Sequence, residues 1–159
     1  MKKLWLVSFN ALTLLAWLAF FAYALANGLV IDKTALILLA VAQGLAIFEI
    51  LNSVLGIAGA NWLLTTMQVL SRFLVVGLLI WIPLKRPTEI NETCFLTGFA
   101  LITIAWSITE IVRAAYYITE LTKTPVSLIT FCRYTFVLLL YPIGVFGEFL
   151  VMFDFWEYR

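Results

Sequence analysis

Long apolar stretches separated by short polar breaks run through this chain. Each stretch reaches or exceeds the roughly 20 apolar residues that a helix needs to cross a bilayer. They predict spanning helices over 4–26, 35–58, 63–84, 94–117 and 127–153. The breaks contain turn-forming or charged residues, such as Asn27-Gly28 and Pro125. The pattern therefore predicts an all-α, multi-pass transmembrane bundle of about five helices, forming a single membrane domain over 1–159.

Composition explains where the apolar surface must go. Hydrophobic residues make up 64% of the chain and charged residues 12%, whereas an ordinary soluble domain carries roughly 25% charged residues. Lipid must cover the excess, so we expect membrane lipids as partners. The formal net charge of +1 and the absence of a basic stripe exclude nucleic acid as a partner.

The chain has no histidine, which excludes histidine-based zinc sites, Ser-His-Asp triads and histidine proton relays. Its two cysteines, Cys94 and Cys132, lie in apolar sequence and form no metal-ligand pair. A cysteine phosphatase loop also fails, because Ala100 and Leu138 stand where its arginine would be. We therefore expect no metal site.

Charges near the segment ends bear on topology. Lys2 and Lys3 favour a cytosolic amino terminus by the positive-inside rule, whereas Lys85 and Arg86 favour the opposite orientation. The apolar run behind Lys2 and Lys3 is too long for a signal-peptide core, so the first segment is expected to remain as an anchor. We expect the amino terminus in the cytosol.

Six ionisable residues fall inside the predicted segments, where a charge costs on the order of several kcal/mol and needs a partner or a function. They are Glu49, Arg72, Glu110, Arg113, Arg133 and Glu148. One interpretation is that the three acids and three bases neutralise one another; Glu110 and Arg113 are three apart on one helix and could pair. The other is that some of them line a site.

The fifth segment carries the most specific pattern. Five of its residues fall within an arc of about 80° on one helix face: Arg133, Val137, Tyr141, Gly144 and Glu148. Tyr141 and Glu148 lie about 10 Å apart along the axis, and Gly144 between them leaves room for a ligand or a neighbouring backbone. A phenol and a carboxylate on one face suit proton transfer at two ends of a small substrate. The alternative is a tyrosine satisfied by a neighbouring helix and a glutamate at the lipid headgroups.

These residues also carry a resemblance to a known family. Its densest block is Arg133-Tyr134, Leu140-Tyr141-Pro142-Ile143-Gly144 and Glu148. A second block is Trp106-Ser107, Glu110-Ile111, Arg113 and Tyr116-Tyr117, and a third is Gln43, Ala46, Glu49-Ile50, Gly56, Thr66, Gln68 and Ser71-Arg72. With three blocks in this order, the chain resembles the membrane-bound very-long-chain (3R)-3-hydroxyacyl-CoA dehydratases, also called protein tyrosine phosphatase-like.

The resemblance implies an activity and a set of site residues. Tyr141 and Glu148 match the family's two catalytic positions, and four further residues match positions needed for integrity or activity: Arg72, Arg113, Arg133 and Gly144. The family removes water from a 3-hydroxyacyl-CoA to give the trans-2-enoyl-CoA in fatty-acid elongation, without a metal or redox cofactor. It implies the endoplasmic reticulum as location, although another organelle membrane is an alternative.

Two hypotheses about mechanism follow. Dehydration needs a base for the α-proton and an acid for the departing β-hydroxyl; we assign these roles to Glu148 and Tyr141 respectively, and the reverse assignment stays open. The second hypothesis places Arg72, Arg113 and Arg133 toward the cytosolic side to bind the phosphates of an acyl-CoA substrate. Their alternative partners are Glu49, Glu110 and phospholipid headgroups.

The sequence departs from the family at two points. The family usually has six spanning segments where five are predicted here, which would leave one flank of the bundle open unless other membrane protein subunits or elongation enzymes cover it. Asn52 also stands where the family usually has histidine. These departures support an alternative function, a catalytically inactive relative acting as a structural subunit of a larger membrane complex. A transporter or channel is less favoured, because the first helix has almost no polar residues.

Overall fold

A computed structural model of the chain describes residues 2–57, 61–85 and 92–157. These residues form six α-helices and no strand: α1 (Lys2–Ala26), α2 (Lys33–Gly44), α3 (Ala46–Val54), α4 (Trp62–Lys85), α5 (Glu92–Thr122) and α6 (Ser127–Glu157). Within them, five helical spans are long and apolar enough to cross a membrane, because α2 and α3 together make one span, Lys33–Val54. The prediction of an all-α bundle with about five spanning helices is confirmed.

The second predicted segment differs from the prediction of one helix over 35–58. α2 ends at Gly44, a residue that costs roughly 1 kcal/mol relative to alanine inside a helix, and α3 begins two residues later at Ala46. α3 then ends at Val54, and Gly56 adopts a φ of 62°, which glycine tolerates because it lacks a Cβ. Residue 58, the last of the predicted helix, lies outside the described residues.

α5 extends five residues beyond its predicted end at 117. Hydrophobicity set the prediction, whereas the helix itself continues through polar residues to Thr122. Lys123 then adopts a left-handed φ of 62°, which ends the helix. The last turn of α5 therefore carries Glu120 beyond the apolar span and next to the start of α6.

The turn between α1 and α2 is fixed by Asp32. Its carboxylate caps α2 by accepting the Ala35 amide at 2.7 Å, and it also accepts the Tyr23 hydroxyl of α1 at 2.6 Å. These two donors, the hydroxyl first, stabilise the charged form and lower the pKa of Asp32. A single side chain thus joins the end of α1 to the beginning of α2.

α5 is the central helix of the bundle. It packs against both α1 and α6, and half of its spanning window is buried, against 17% for α6. The buried apolar core takes residues from α1, α2, α4, α5 and α6, among them Trp17, Phe20, Leu39, Leu79, Phe95, Phe99, Ile102 and Val151. α6 packs against α5 and also against α4, where Trp81 meets Phe155, and most of its remaining surface is exposed.

Glycines set the close packing of α6 on α5. A Cβ built on Gly98 would lie 2.9 Å from the carbonyl oxygen of Gly147, and one built on Gly147 would lie 2.9 Å from that of Gly98. Only residues without a side chain let two helix backbones approach this closely. The contact fixes α6 on α5 beside Glu148.

Candidate active site and polar cavity

Four of the six intramembrane charges form one ionic cluster that joins α3, α4 and α5. Arg72 of α4 pairs with Glu110 of α5 through Nη1 and Oε1. Arg113 donates to Glu110 Oε2 from Nε at 2.9 Å and from Nη2 at 2.5 Å. It also holds Glu49 of α3 with both terminal nitrogens, Nη1 to Oε2 at 2.8 Å and Nη2 to Oε1.

The ionic cluster is electrically neutral, since its two arginines match its two glutamates. The Glu110 side chain is only 3% exposed, and a charge so buried is tolerated only when paired and hydrogen-bonded. Mutual neutralisation, one of the two interpretations drawn from the sequence, is confirmed for this set, including the pair Glu110–Arg113. Because carboxylates hold both Arg72 and Arg113, the cluster has no net charge to attract an anion.

Trp106 connects the ionic cluster to Glu148. The Arg72 guanidinium carbon lies 5.4 Å from the centroid of the Trp106 ring, a cation–π contact. The indole Nε1 then donates a hydrogen bond to Glu148 Oε1 at 3.1 Å. Trp106 is 4% exposed, so its orientation is fixed by packing, and it positions the carboxylate of Glu148.

Sequence reasoning noted Trp106 only as part of the resemblance and gave it no role. The sequence does indicate that Trp106 lies beside the charged residues, because it is one helical turn from Glu110 and therefore shares its face. A buried indole also needs an acceptor for its N–H. The identity of that acceptor, 42 residues away on α6, depends on helix packing and could not be read from spacing.

The residues predicted to share one face of α6 differ in how far they are buried. Gly144 is buried, and a Cβ built on it would lie 3.4 Å from the Ala105 side chain, so the neighbouring helix occupies the room predicted beside it. Glu148 is half-buried. Tyr141 is 70% exposed and makes no side-chain hydrogen bond to any residue that the structure describes. Its hydroxyl therefore remains available to a ligand.

A polar cavity of about 650 Å³ opens at the end of the bundle where α1, α4 and α6 begin and α3 and α5 end. Most of its lining surface is apolar, and we call it the polar cavity for the polar side chains in its wall, which include Asn10, Glu49, Asn52, Gln68, Arg113 and Arg133. Two of these, Glu49 and Arg113, belong to the ionic cluster, which thus forms part of the cavity wall. Asn52 accepts a hydrogen bond from Trp5 Nε1 at 3.0 Å, which links α3 to the start of α1.

Comparison with known proteins gives consistent results. Residues 43–159 match the family described as protein tyrosine phosphatase-like protein, PTPLA. A very-long-chain (3R)-3-hydroxyacyl-CoA dehydratase of Caenorhabditis elegans is 31% identical over 156 residues, which cover 94% of this chain and 68% of that protein.

The matches to two further relatives cover a smaller share of those proteins. Very-long-chain (3R)-3-hydroxyacyl-CoA dehydratase 2 of Homo sapiens is 37% identical over 68% of this chain and 40% of its own length. A probable dehydratase of the same name in Schizosaccharomyces pombe is 39% identical over 69% of this chain and 50% of its own. No solved structure matches the chain.

Proposed function

This chain belongs to the protein tyrosine phosphatase-like (PTPLA) family, and we propose on this basis that it is a membrane-bound 3-hydroxyacyl-CoA dehydratase. The reaction would remove water from the 3-hydroxyacyl-CoA and leave the trans-2-enoyl-CoA. The observation that carries the proposal is the relation to a named dehydratase over 94% of the chain. The arrangement around Glu148 supports it.

The proposed reaction is a β-elimination. The Glu148 carboxylate takes a proton from C2, whose acidity the thioester raises, and the electron pair forms the C2–C3 double bond. The C3–O bond breaks, and Tyr141 donates its hydroxyl proton to the departing hydroxide, giving water. No electrons enter or leave, so the reaction needs no oxidant or reductant. The opposite assignment of acid and base balances equally well.

The surroundings of the two residues favour Glu148 as the base. The Trp106 N–H holds one carboxylate oxygen, Oε1, which leaves the other oxygen to face a substrate. Tyr141 lies two turns earlier on α6, about 10 Å away along the axis, and its exposed hydroxyl can reach a substrate that lies along the helix between them. Two-site proton transfer requires both groups within hydrogen-bond reach of one substrate, and their place on one face of α6 supports this.

We propose fatty-acid elongation in the endoplasmic reticulum as the setting, with elongation enzymes as neighbouring membrane partners. The five apolar spans make the chain an integral membrane protein, and the substrate class in the relatives' names matches a membrane-embedded acyl chain. Co-fractionation of the tagged protein with endoplasmic-reticulum markers tests the location.

The activity is tested by incubating the protein in lipid nanodiscs with a long-chain 3-hydroxyacyl-CoA and measuring the 2-enoyl product. We expect Tyr141→Phe and Glu148→Gln each to lower kcat by about 100-fold or more, the usual range for loss of a general acid or base. Tyr134→Phe is the matched control, because Tyr134 is an equally exposed phenol on the same helix.

Two results of this experiment would contradict the proposals. Turnover that survives in both variants would overturn the assignment of the two residues. No turnover from a folded parent would overturn the dehydratase proposal and favour a structural subunit instead.

A further inference from the structure

Arg133 differs from the other two arginines of the predicted site. Arg72 and Arg113 are held by carboxylates in the ionic cluster, whereas Arg133 has no ion pair or side-chain hydrogen bond among the described residues. It is half-buried and lines the polar cavity. Since the glutamate on the cavity wall, Glu49, is already neutralised by Arg113, the free positive charge of the cavity belongs to Arg133.

The rim of the cavity adds charge of the same sign. Lys2 and Lys3 lie within about one turn of Leu6, which lines the cavity on α1, and Lys123 follows Leu121, which lines it on α5. The described charge that opposes them here outside the ionic cluster is Glu120. This end of the bundle therefore presents an excess of cations to an anion entering the cavity.

The position of Arg133 along α6 suits a ligand with two separated ends. Arg133 precedes Tyr141 by eight residues and Glu148 by fifteen, which places it about 12 Å and 22 Å from them along the helix axis. In a CoA thioester, the pantetheine arm separates the reacting carbons from the diphosphate. A phosphate site for such a substrate must therefore lie well away from the acid and base, toward one end of the bundle.

We propose that the polar cavity binds the phosphorylated end of the acyl-CoA substrate, with Arg133 as the residue that holds its phosphates. The planar guanidinium matches phosphate oxygens in a bidentate geometry. The ionic cluster connects the two regions, because Glu49 and Arg113 line the cavity and Arg72 contacts Trp106, the hydrogen-bond donor to Glu148. The identity of the ligand rests on the proposed dehydratase function. Of the three arginines that the sequence suggested for binding phosphate, only Arg133 keeps that role.

Direct binding tests the inference independently of turnover. The probe is a saturated long-chain acyl-CoA, which cannot be dehydrated, and its comparison is the same acyl chain on pantetheine, which has no phosphate. Both are titrated into the protein in phosphatidylcholine nanodiscs. We expect Arg133→Gln to raise Kd for the acyl-CoA about tenfold or more, as loss of a charge-assisted hydrogen bond does, and to leave Kd for the acyl-pantetheine unchanged.

Two further variants control for charge and for folding. Lys33→Gln removes an exposed cation at the opposite end of the bundle, and we expect it to leave both Kd values unchanged. Arg133→Lys keeps the positive charge without the planar fork, and we expect an affinity for acyl-CoA between those of the parent and Arg133→Gln. Added salt should weaken binding of acyl-CoA more than binding of acyl-pantetheine.

Two results would overturn the inference: an equal loss of affinity for both thioesters, or no loss for either. In the second case, a phospholipid that co-purifies with the parent but not with Arg133→Gln would identify a lipid headgroup as the occupant. A parent that binds acyl-CoA through Arg133 but does not dehydrate the 3-hydroxy substrate would overturn the proposed activity and leave the phosphate site standing.

Discussion

At the scale of single residues, the proposed acid and base stand in different environments although they share one nominal helix face. Glu148 is half-buried and held by an indole N–H, whereas Tyr141 is largely exposed with a free hydroxyl. A fixed carboxylate suits proton abstraction from a defined carbon, because the proton must lie within hydrogen-bond reach. A phenol with a free hydroxyl can follow the oxygen that leaves.

Replacing Trp106 tests how much the fixed geometry contributes. Trp106→Phe keeps a buried aromatic ring but removes the N–H that donates to Glu148. We expect kcat for the 3-hydroxyacyl-CoA to fall about tenfold, since one hydrogen bond to a charged group is worth roughly 1.5–3 kcal/mol, with little change in KM. Steady-state kinetics in nanodiscs gives both values.

Trp17→Phe is the matched control for Trp106→Phe. It removes an equally buried indole from the core, 2% exposed on α1, whose N–H is not the one that donates to Glu148. A similar fall in kcat for both variants would mean that Trp106 acts only through packing.

Sequence spacing could predict some of these contacts and not others. The pair Glu110–Arg113 follows from a separation of three residues on a helix. Arg113 and Glu49 are 64 residues apart, and the choice of Glu49 over Glu148 as partner depends on which helices are neighbours. The sequence gives the residue types that a buried site needs but not the three-dimensional pairing.

At the scale of the elements, hydrophobic runs identified each of the five apolar spans that the structure describes, because lipid imposes a minimum apolar length. The same criterion missed the break at Leu45, since an interruption of one residue between Gly44 and Ala46 does not end the apolar run. It also placed the end of α5 too early, because a helix continues into water as long as its residues allow. Apolar length therefore predicts the span, and local backbone preference decides the exact ends.

The contact between α5 and α6 depends on glycine, which the sequence pattern did not single out at Gly98 and Gly147. We expect Gly147→Ala to destabilise the protein by about 1–3 kcal/mol, as overpacking does. Its Cβ would lie 2.9 Å from the Gly98 carbonyl oxygen and 3.0 Å from the Ile102 amide nitrogen, and backbone atoms cannot rotate away. Thermal unfolding in detergent measures the change.

The matched control for this contact is Gly77→Ala on α4. A Cβ built on Gly77 meets no atom within 4 Å, so the substitution gains helix propensity without a clash and should leave stability equal or slightly higher. The packing argument fails if the two alanine variants unfold at the same temperature.

At the scale of the whole molecule, the ionic cluster joins α3, α4 and α5 through pairs of residues that are 38 and 64 positions apart in sequence. Arg113 of α5 contacts Glu49 of α3, and Glu110 of α5 contacts Arg72 of α4. The same cluster contacts both regions, since Glu49 and Arg113 line the polar cavity and Arg72 lies against Trp106, so a disturbance of the cluster reaches both. Its neutrality explains how four charges persist within apolar spans.

A double-mutant cycle on Glu49 and Arg113 tests this role. Arg113→Gln leaves the partly buried Glu49 without its partner, whereas Glu49→Gln leaves Arg113 with Glu110 alone. We expect each change to lower the free energy of unfolding by about 1–3 kcal/mol. The double variant leaves no such charge from this pair, so its loss should be smaller than the sum, with a coupling of about 0.5–3 kcal/mol. Glu120→Gln, an exposed acid on the same helix as Arg113, should change stability by less than about 0.5 kcal/mol. Strict additivity of the two single losses would show that Glu49 and Arg113 do not stabilise one another, and that α3 is held by its packing against α2 and α4.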